Sequence, residues 1–360
     1  MLDDKSRAWI KLARAKIPDA LKRSVLERCP DPQEALRFDL KSLNTRSRRS
    51  RVLSRNLLAL VDQQDIAQDV DWCSRPQRSV IGLTDHLFPS HLKEISCPPI
   101  AIFCEGDQKL LSQQMIAMVG SRNPTPGGLK IAEEMAAVVS SAGFTVVSGL
   151  AIGIDTVAHV GALSASGSTI GVCATGLDRV YPRQNTKLAR DIVDKGVLIS
   201  EFPVGTPVRK HHFPRRNRMI SGLAVATVVV EAAIRSGSVS TAGFAADQGR
   251  EVFAVPGSVY SPVSRGTHYL IRDGACLVES GDQILEAVGG FNSNFSNQNQ
   301  RQKPPQWSIK ILSAIDFTPT SVDQIAERSG LTISEICAML IRMECEKLIA
   351  SGSGGYIRLV

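Results

Sequence analysis

The chain has 360 residues, 43% hydrophobic and 21% charged, enough apolar material for a full core spread over two or three domains. Its net charge of +7 and pI near 9.0 favour an anionic partner, nucleic acid first. The strongest apolar run, Leu223 to Val230, is too short to span a membrane, and the opening Met1-Leu2-Asp3-Asp4 has the wrong charge for a signal peptide, so a cytoplasmic protein without a membrane partner is expected.

Residues 1 to about 70 read as short helices, with stripes such as Leu12, Leu21, Val25, Leu26, Leu36 and Leu40, then Leu57, Leu58 and Leu60, punctuated by Pro18, Pro30 and Pro32. Between the stripes lies the basic run Arg46-Ser47-Arg48-Arg49-Ser50-Arg51, with Arg55 beyond it; such a run is ordinarily a solvated helix face, and a nucleic-acid contact is the alternative. A strand over residues 100–104 follows. From Ile116 the pattern alternates strand and helix: strand 116–119, helix 129–141 ended by Gly143, strand 145–148, a helix from Asp155, strand 168–173, a helix through Asp194, strand 197–200, helix 217–223, strand 226–230, helix 241–248, strand 251–255 and helix 282–288. This predicts a doubly wound α/β domain, a mostly parallel sheet with helices on both faces. Residues 289–305 are polar and of low complexity, as in a linker. Three helical patterns (309–315, 321–329, 332–347) and a hairpin closed by Ser351-Gly352-Ser353-Gly354-Gly355 predict a winged helix over 306–360.

The loops at the C-terminal ends of the predicted strands are where such a sheet binds its ligand. They are Gly120-Ser121-Arg122, Ser148-Gly149-Leu150-Ala151, Thr175-Gly176, the 209–218 stretch and Arg235-Ser236-Gly237-Ser238. All combine glycine with hydroxyl or basic side chains, as phosphate contacts require, but neither GxGxxG nor GxxxxGK[ST] is present to specify a dinucleotide or an NTPase. Any one of them alone is as readily a plain tight turn; their recurrence is the signal. Arg209-Lys210-His211-His212-Phe213-Pro214-Arg215-Arg216-Asn217-Arg218 places five cations, two histidines and an aromatic immediately before a predicted helix. Cations for successive phosphates and a ring for a base describe a single-strand groove, while a basic surface loop anchored by Phe213 is the equal alternative.

Enzymatic readings are weaker. Asp155 and His159, at i and i+4, can face one site as acid and base or as metal ligands, although an N-cap aspartate and a satisfied histidine are the commoner outcome. Glu201 and Glu231 each follow a strand without an obvious nucleophile, there is no GxSxG elbow around Ser238, and the adjacent His211 and His212 point apart. The eight cysteines (29, 73, 97, 104, 173, 276, 337, 345) lack metal spacing. No catalytic residue, metal or cofactor is expected.

Met118-Val119-Gly120-Ser121-Arg122, Ser148-Gly149-Leu150-Ala151 with Gly153 to His159, Gly176-Leu177-Asp178 with Tyr181-Pro182, Ser200-Glu201-Phe202-Pro203, Phe213 to Arg218, Glu231-Ala232 with Ser236-Gly237-Ser238, and Val255-Pro256-Gly257 together resemble the DNA-processing protein A (DprA/Smf) family. The resemblance runs in order from about residue 98 to 288. It implies a Rossmann-like domain over 96–288 that binds single-stranded DNA, protects it and loads RecA onto it in natural transformation, working as a homodimer without catalysis. It further implies a helical accessory domain (SAM or helix-hairpin-helix-like) over 1–95 and the winged helix at the other end. By position, Arg122 matches the family's phosphate-binding arginine, Lys210 and Phe213 a basic and an aromatic residue that hold the strand, and Arg216, Asn217 and Arg218 the RNR element. Arg183 falls where members carry a basic residue; Ser121, Arg215, Ser236, Gly237 and Ser238 complete the expected DNA-binding set. Two positions depart from the pattern: Ile152 stands where Arg is common, removing a phosphate contact, and Cys173-Ala174-Thr175-Gly176 replaces LGCG. A nucleotide-processing enzyme of related fold and a winged-helix duplex binder are the competing functions. The enzymes of this kind use a Pro-Gly-Gly-x-Gly-Thr loop absent from this chain, and the last helices mix Glu327, Glu335, Glu344 and Glu346 with Arg328, Arg342 and Lys347, where a DNA groove calls for positive charge.

Overall fold

The computed structural model describes residues 2–40, 66–289, 305–352 and 354–359. The basic run 46–51, Arg55, the leucines at 57, 58 and 60, and the expected linker from 290 to 304 lie outside the described residues.

Strand β3 (Met115–Val119), buried along its whole length, is central to a nine-stranded sheet. Its alternation sends Ile116 and Met118 into the core on one face of the sheet and Ala117 and Val119 into the core on the other. The chain leaves β3 through helix α6 (Pro126–Ser141) and winds outward by β4 (Thr145–Gly149), α7 (Ile154–Ser164), β5 (Thr169–Val172), α8 (Thr186–Lys195) and β6 (Val197–Ser200). It returns by α9 (His212–Leu223) to the opposite side of β3, where β7 (Ala226–Val229), α10 (Gly237–Asp247), β8 (Glu251–Ala254), α11 (Arg265–Arg272), β9 (Cys276–Leu277) and α12 (Gly281–Ala287) follow. Strands β3 to β9 are parallel, so their C-terminal ends share one rim, and the direction of winding switches between β3 and β7. Such a switch point opens a crevice between the loops on its two sides.

The Rossmann-like expectation therefore holds, but the sheet begins earlier than the boundary read at residue 95. Helices α1 (Asp4–Arg14), α2 (Asp19–Arg28), α3 (Pro32–Arg37) and α4 (Ala67–Cys73) precede strand β1 (Arg78–Gly82), which pairs antiparallel with β2 (Ala101–Gly106); helix α5 (Ser90–Glu94) lies between the two strands. β2 in turn pairs antiparallel with β6. Only Val80, Ile81 and Gly82 of β1 are buried, too short an apolar run to stand out between polar neighbours. The N-terminal helices share the core of the sheet: the Trp9 ring occupies the space a Cβ at Gly82 would need, and Arg14 bonds both buried Asp69 and the Val204 carbonyl. Helix α11 and strand β9 also escape the sequence pattern, the first because it is only eight residues long with Gly266 in its first turn and the second because it is two residues long.

The C-terminal module is the expected winged helix: α13 (Ile309–Leu312), α14 (Val322–Ser329), α15 (Ile333–Cys345) and the hairpin β10 (Ile349–Gly352) and β11 (Gly355–Arg358) around a core of its own. Capping boxes at Ser321/Gln324 and Thr332/Glu335 start α14 and α15, and Gly330, at φ 66°, ends α14 in the left-handed conformation. The module touches the sheet domain through Lys130 on α6, whose Nζ donates to the Leu359 carbonyl at 2.8 Å.

Candidate nucleic-acid interface

The Gly120-Ser121-Arg122 turn leaves β3 at the switch point and is pinned on three sides. The Ile154 amide at the start of α7 donates to the Ser121 carbonyl at 3.1 Å, and Ser238 Oγ of α10 donates to the Gly120 carbonyl at 2.7 Å. Thr125, which caps α6 by accepting from the Gly128 amide, gives its own amide and hydroxyl to the Glu231 carboxylate at 2.9 and 2.6 Å. A Cβ at Gly120 would overlap Ile154, and one at Gly153, whose φ is +87°, would overlap the Ser121 carbonyl, so glycine alone fits where these two loops meet. Arg122 is left exposed, its guanidinium 5.5 Å from the centroid of the Phe213 ring.

Phe213 lies on helix α9, which begins at His212 and not at Asn217 as the sequence suggested. Pro214 occupies the first turn, where a missing amide hydrogen costs no intrahelical bond. Five of the expected contacts, Phe213 and Arg215 to Arg218, are therefore presented by helical geometry, and they part company. Phe213 meets Tyr181 edge-on at 6.0 Å. Arg216 is buried: its Nη1 donates to the Val172 carbonyl at 2.9 Å and its Nε to Asn217 Oδ1 at 3.0 Å, while Asn217 Nδ2 donates to the Gly237 carbonyl at 3.3 Å. Arg215 bonds Glu201 and Asp19, each at 3.0 Å, and Arg218 bonds Glu201 and the Cys97 carbonyl. These two arginines are held by a buried carboxylate, whereas Lys210 is exposed and makes no ion pair among the described residues.

Arg122, Phe213, Tyr181, Ile152 and Gln184 surround a cavity of about 260 Å³ at the ends of β3, β4 and β5, with Arg216 also in its lining. Arg183 stands exposed beside it in a 3-10 turn (Arg183–Asn185), fixed by Asn185 Nδ2 donating to the Leu150 carbonyl at 2.8 Å. Ser236 caps α10 through the Val239 amide, and Gly237 contributes its carbonyl to Asn217, so the Ser236-Gly237-Ser238 loop braces the turn and α9. Sequence reasoning passed over Gln184 and Asn185 as site residues; both lie in the segment after Tyr181-Pro182, whose motif was the available signal.

The groups weighed for catalysis are occupied by structure. His159 Nε2 faces the Gly149 carbonyl at 2.7 Å and therefore carries the proton, Nδ1 faces the Thr169 hydroxyl at 2.7 Å, and burial holds its pKa down at about 4. Asp155 lies with Arg216 against Gly149, and burial raises its carboxyl pKa while the guanidinium opposes the rise. Burial likewise raises the Glu231 pKa against its bonds from Thr125. His212 packs on Phe202 at 4.1 Å, with Nδ1 3.2 Å from the Ala174 carbonyl. Among the described residues no His, Cys, Asp and Glu side chains cluster as a metal site, and no helix is long and apolar enough to cross a membrane.

Residues 79–289 match the family model described as DNA recombination-mediator protein A, and residues 302–355 match that of the DprA winged helix domain. Protein Smf of Escherichia coli K12 is 37% identical over 306 residues, 82% of each chain. Among solved structures, DNA processing protein A of Streptococcus pneumoniae superposes with a TM-score of 0.69 at 33% identity, over 79% of this chain and 98% of that one. The Helicobacter pylori DNA processing protein A, whose structure is described in terms of its single-stranded DNA binding mode, gives a TM-score of 0.54 at 28% identity, over 59% of this chain and 95% of that one.

Proposed function

Because the chain belongs to the DNA recombination-mediator protein A (DprA/Smf) family of DNA-processing proteins, we propose that its strand-end rim binds single-stranded DNA along the backbone and performs no reaction on it. The observation that carries this reading is the pairing of Arg122 with the Phe213 ring at the mouth of the cavity, with Lys210 exposed on the adjoining turn and without an ion pair among the described residues. A guanidinium and an ammonium meet successive phosphates, the ring meets a base of any identity, and the cavity takes the side of the strand turned inward. Asp155, His159, Glu201 and Glu231 are each engaged in holding loops and helix starts, which supports a binding site over a catalytic one. The single-strand binding mode described for the H. pylori relative supports the same reading.

Membership of the family supports the finer roles. The bound strand is shielded and passed to a RecA recombinase in natural transformation or recombination, in the cytoplasm and by a homodimer. Ile234 and Leu277, exposed and lining one shallow cavity with Pro256 and Ile271 at the edge strand β9, offer the dimer an apolar face, and light scattering on the full chain measures its mass. RecA assembly on a strand covered by single-strand binding protein, with and without this chain, measures the hand-over.

Fluorescence anisotropy with a labelled oligonucleotide tests the groove. Arg122→Ala and Lys210→Ala should each weaken binding about tenfold or more with unchanged circular dichroism, and log affinity should fall with log salt by about 0.7 per phosphate engaged. Wild-type affinity in both variants would remove the groove from the reading.

A further inference from the structure

The parallel strands bring a further aromatic side chain to the same rim. Tyr260 stands in the loop 256–264 that follows β8 and is 90% exposed, with its neighbour Val259 71% exposed. The loop is fastened to the loop following β7, since the Ala232 amide donates to the Val263 carbonyl at 2.6 Å and the Gly266 amide to the Ala232 carbonyl at 2.7 Å. His268 Nε2, 3.1 Å from the Gly257 carbonyl, closes its base, and the Tyr260 amide donates to Ser258 Oγ at 3.3 Å. A ring held on a braced loop and left in water is a surface prepared for something flat. Arg235 and Arg265, on the two segments that flank this loop, are both exposed and make no ion pair among the described residues.

Resting on the single-strand groove proposed above, we propose that this loop is a second stacking site for the same strand: Tyr260 takes a base beyond the one at Phe213, and Arg235 and Arg265 take the phosphates nearby. The Gly120-Ser121-Arg122 turn follows β3 and the Tyr260 loop follows β8, with only β7 between them. Neighbouring strands lie about 4.8 Å apart, so the strand ends from which the two loops leave are about 10 Å from each other along the rim, a span that a few nucleotides of one strand cover. The segment after β7 joins both: Ser238 bonds the Gly120 carbonyl, and the Ala232 amide bonds the Val263 carbonyl of the Tyr260 loop. A protein partner docking on Tyr260 would bury two arginines and have to supply carboxylates for them; a nucleic-acid strand brings its anions at a regular repeat.

The test uses the full chain and fluorescein-labelled oligothymidylate long enough to cross the whole rim. Tyr260→Ala should weaken binding about fivefold or more, Tyr260→Phe should keep wild-type affinity, and Arg235→Ala should reduce the salt slope by about 0.7. Oligonucleotides carrying 5-iododeoxyuridine should photocross-link to Tyr260, as read by mass spectrometry. If Arg122→Ala and Lys210→Ala also bind like wild type, the groove itself has failed. If those two lose affinity while Tyr260→Ala does not, the second stacking site alone is overturned. A Tyr260→Ala chain that falls to lower mass in light scattering with unchanged strand affinity overturns it as well and gives the loop to self-association.

Discussion

Arg122, Arg216 and Arg218 are the same residue type within one expected DNA-binding set, and the fold puts them to three uses. Arg122 projects over a ring, Arg216 is buried against the Val172 carbonyl, and Arg218 is paired with Glu201, which it shares with Arg215. Composition located this concentration of charge and the resemblance assigned most of it to DNA, but neither carries depth, so the division between projecting, paired and buried cations was not legible. Ile152 shows the converse. The sequence marked it as a missing phosphate contact, and it lines the cavity 38% exposed. Ile152→Arg should therefore tighten single-strand binding by up to about 1 kcal/mol and steepen its salt dependence; anisotropy showing equal or weaker binding would mean that the strand does not pass this wall. His159, weighed as an acid or base, has a different consequence. Its pKa falls from 6.5 to about 4 on folding. Above pH 6.5 the imidazole is neutral in both states and the burial is uncompromised. Between 6.5 and 4 the unfolded chain takes up a proton that the folded chain refuses, so stability declines as pH falls, by about 3 kcal/mol across the window. Urea unfolding from pH 7 to pH 4.5 should show this decline, and His159→Gln should flatten it.

The strand–helix alternation from β3 to β8 was legible because each strand is a short buried apolar run and each helix carries a stripe of matching period. Boundaries were less so. The helix was expected from residue 217, yet Pro214 in the first turn of α9 is compatible with a helix start, and the helix reaches back over Phe213 as a result. The clamp between β7 and α6 had no sequence signal at all, because Glu231 and Thr125 are 106 residues apart. Through Thr125, Glu231 fixes the start of α6 and with it the segment that carries Arg122. Glu231→Ala should cost about 1–3 kcal/mol of stability through the two lost hydrogen bonds and weaken strand binding as the turn loosens. Thermal unfolding and anisotropy on one preparation measure both effects; a destabilised variant with undiminished binding would show that the turn holds its shape without the clamp.

At the scale of the whole molecule, the winged helix and the sheet domain were both legible, the first from its three helical patterns and hairpin glycines. The attachment of the N-terminal helices to the sheet was not, since Asp69 and Val204, or Asp19 and Arg215, meet only in three dimensions. The winged helix rests on α6 through Lys130, on an element that carries none of the projecting cations of the rim. Removing residues 306–360 should thus leave single-strand affinity within about tenfold, or 1.4 kcal/mol, of the full chain, as titration of both would show. The two borders of the sheet differ in a way that bears on assembly. At one border β1 runs antiparallel, with Val80, Ile81 and Gly82 buried and Trp9 packed against them; at the other, both residues of β9 are exposed. A sheet with a single open border has a valence of one. Among the described residues, edge-to-edge pairing of copies at β9 leaves no second open border of the sheet from which head-to-tail growth into a fibre continues.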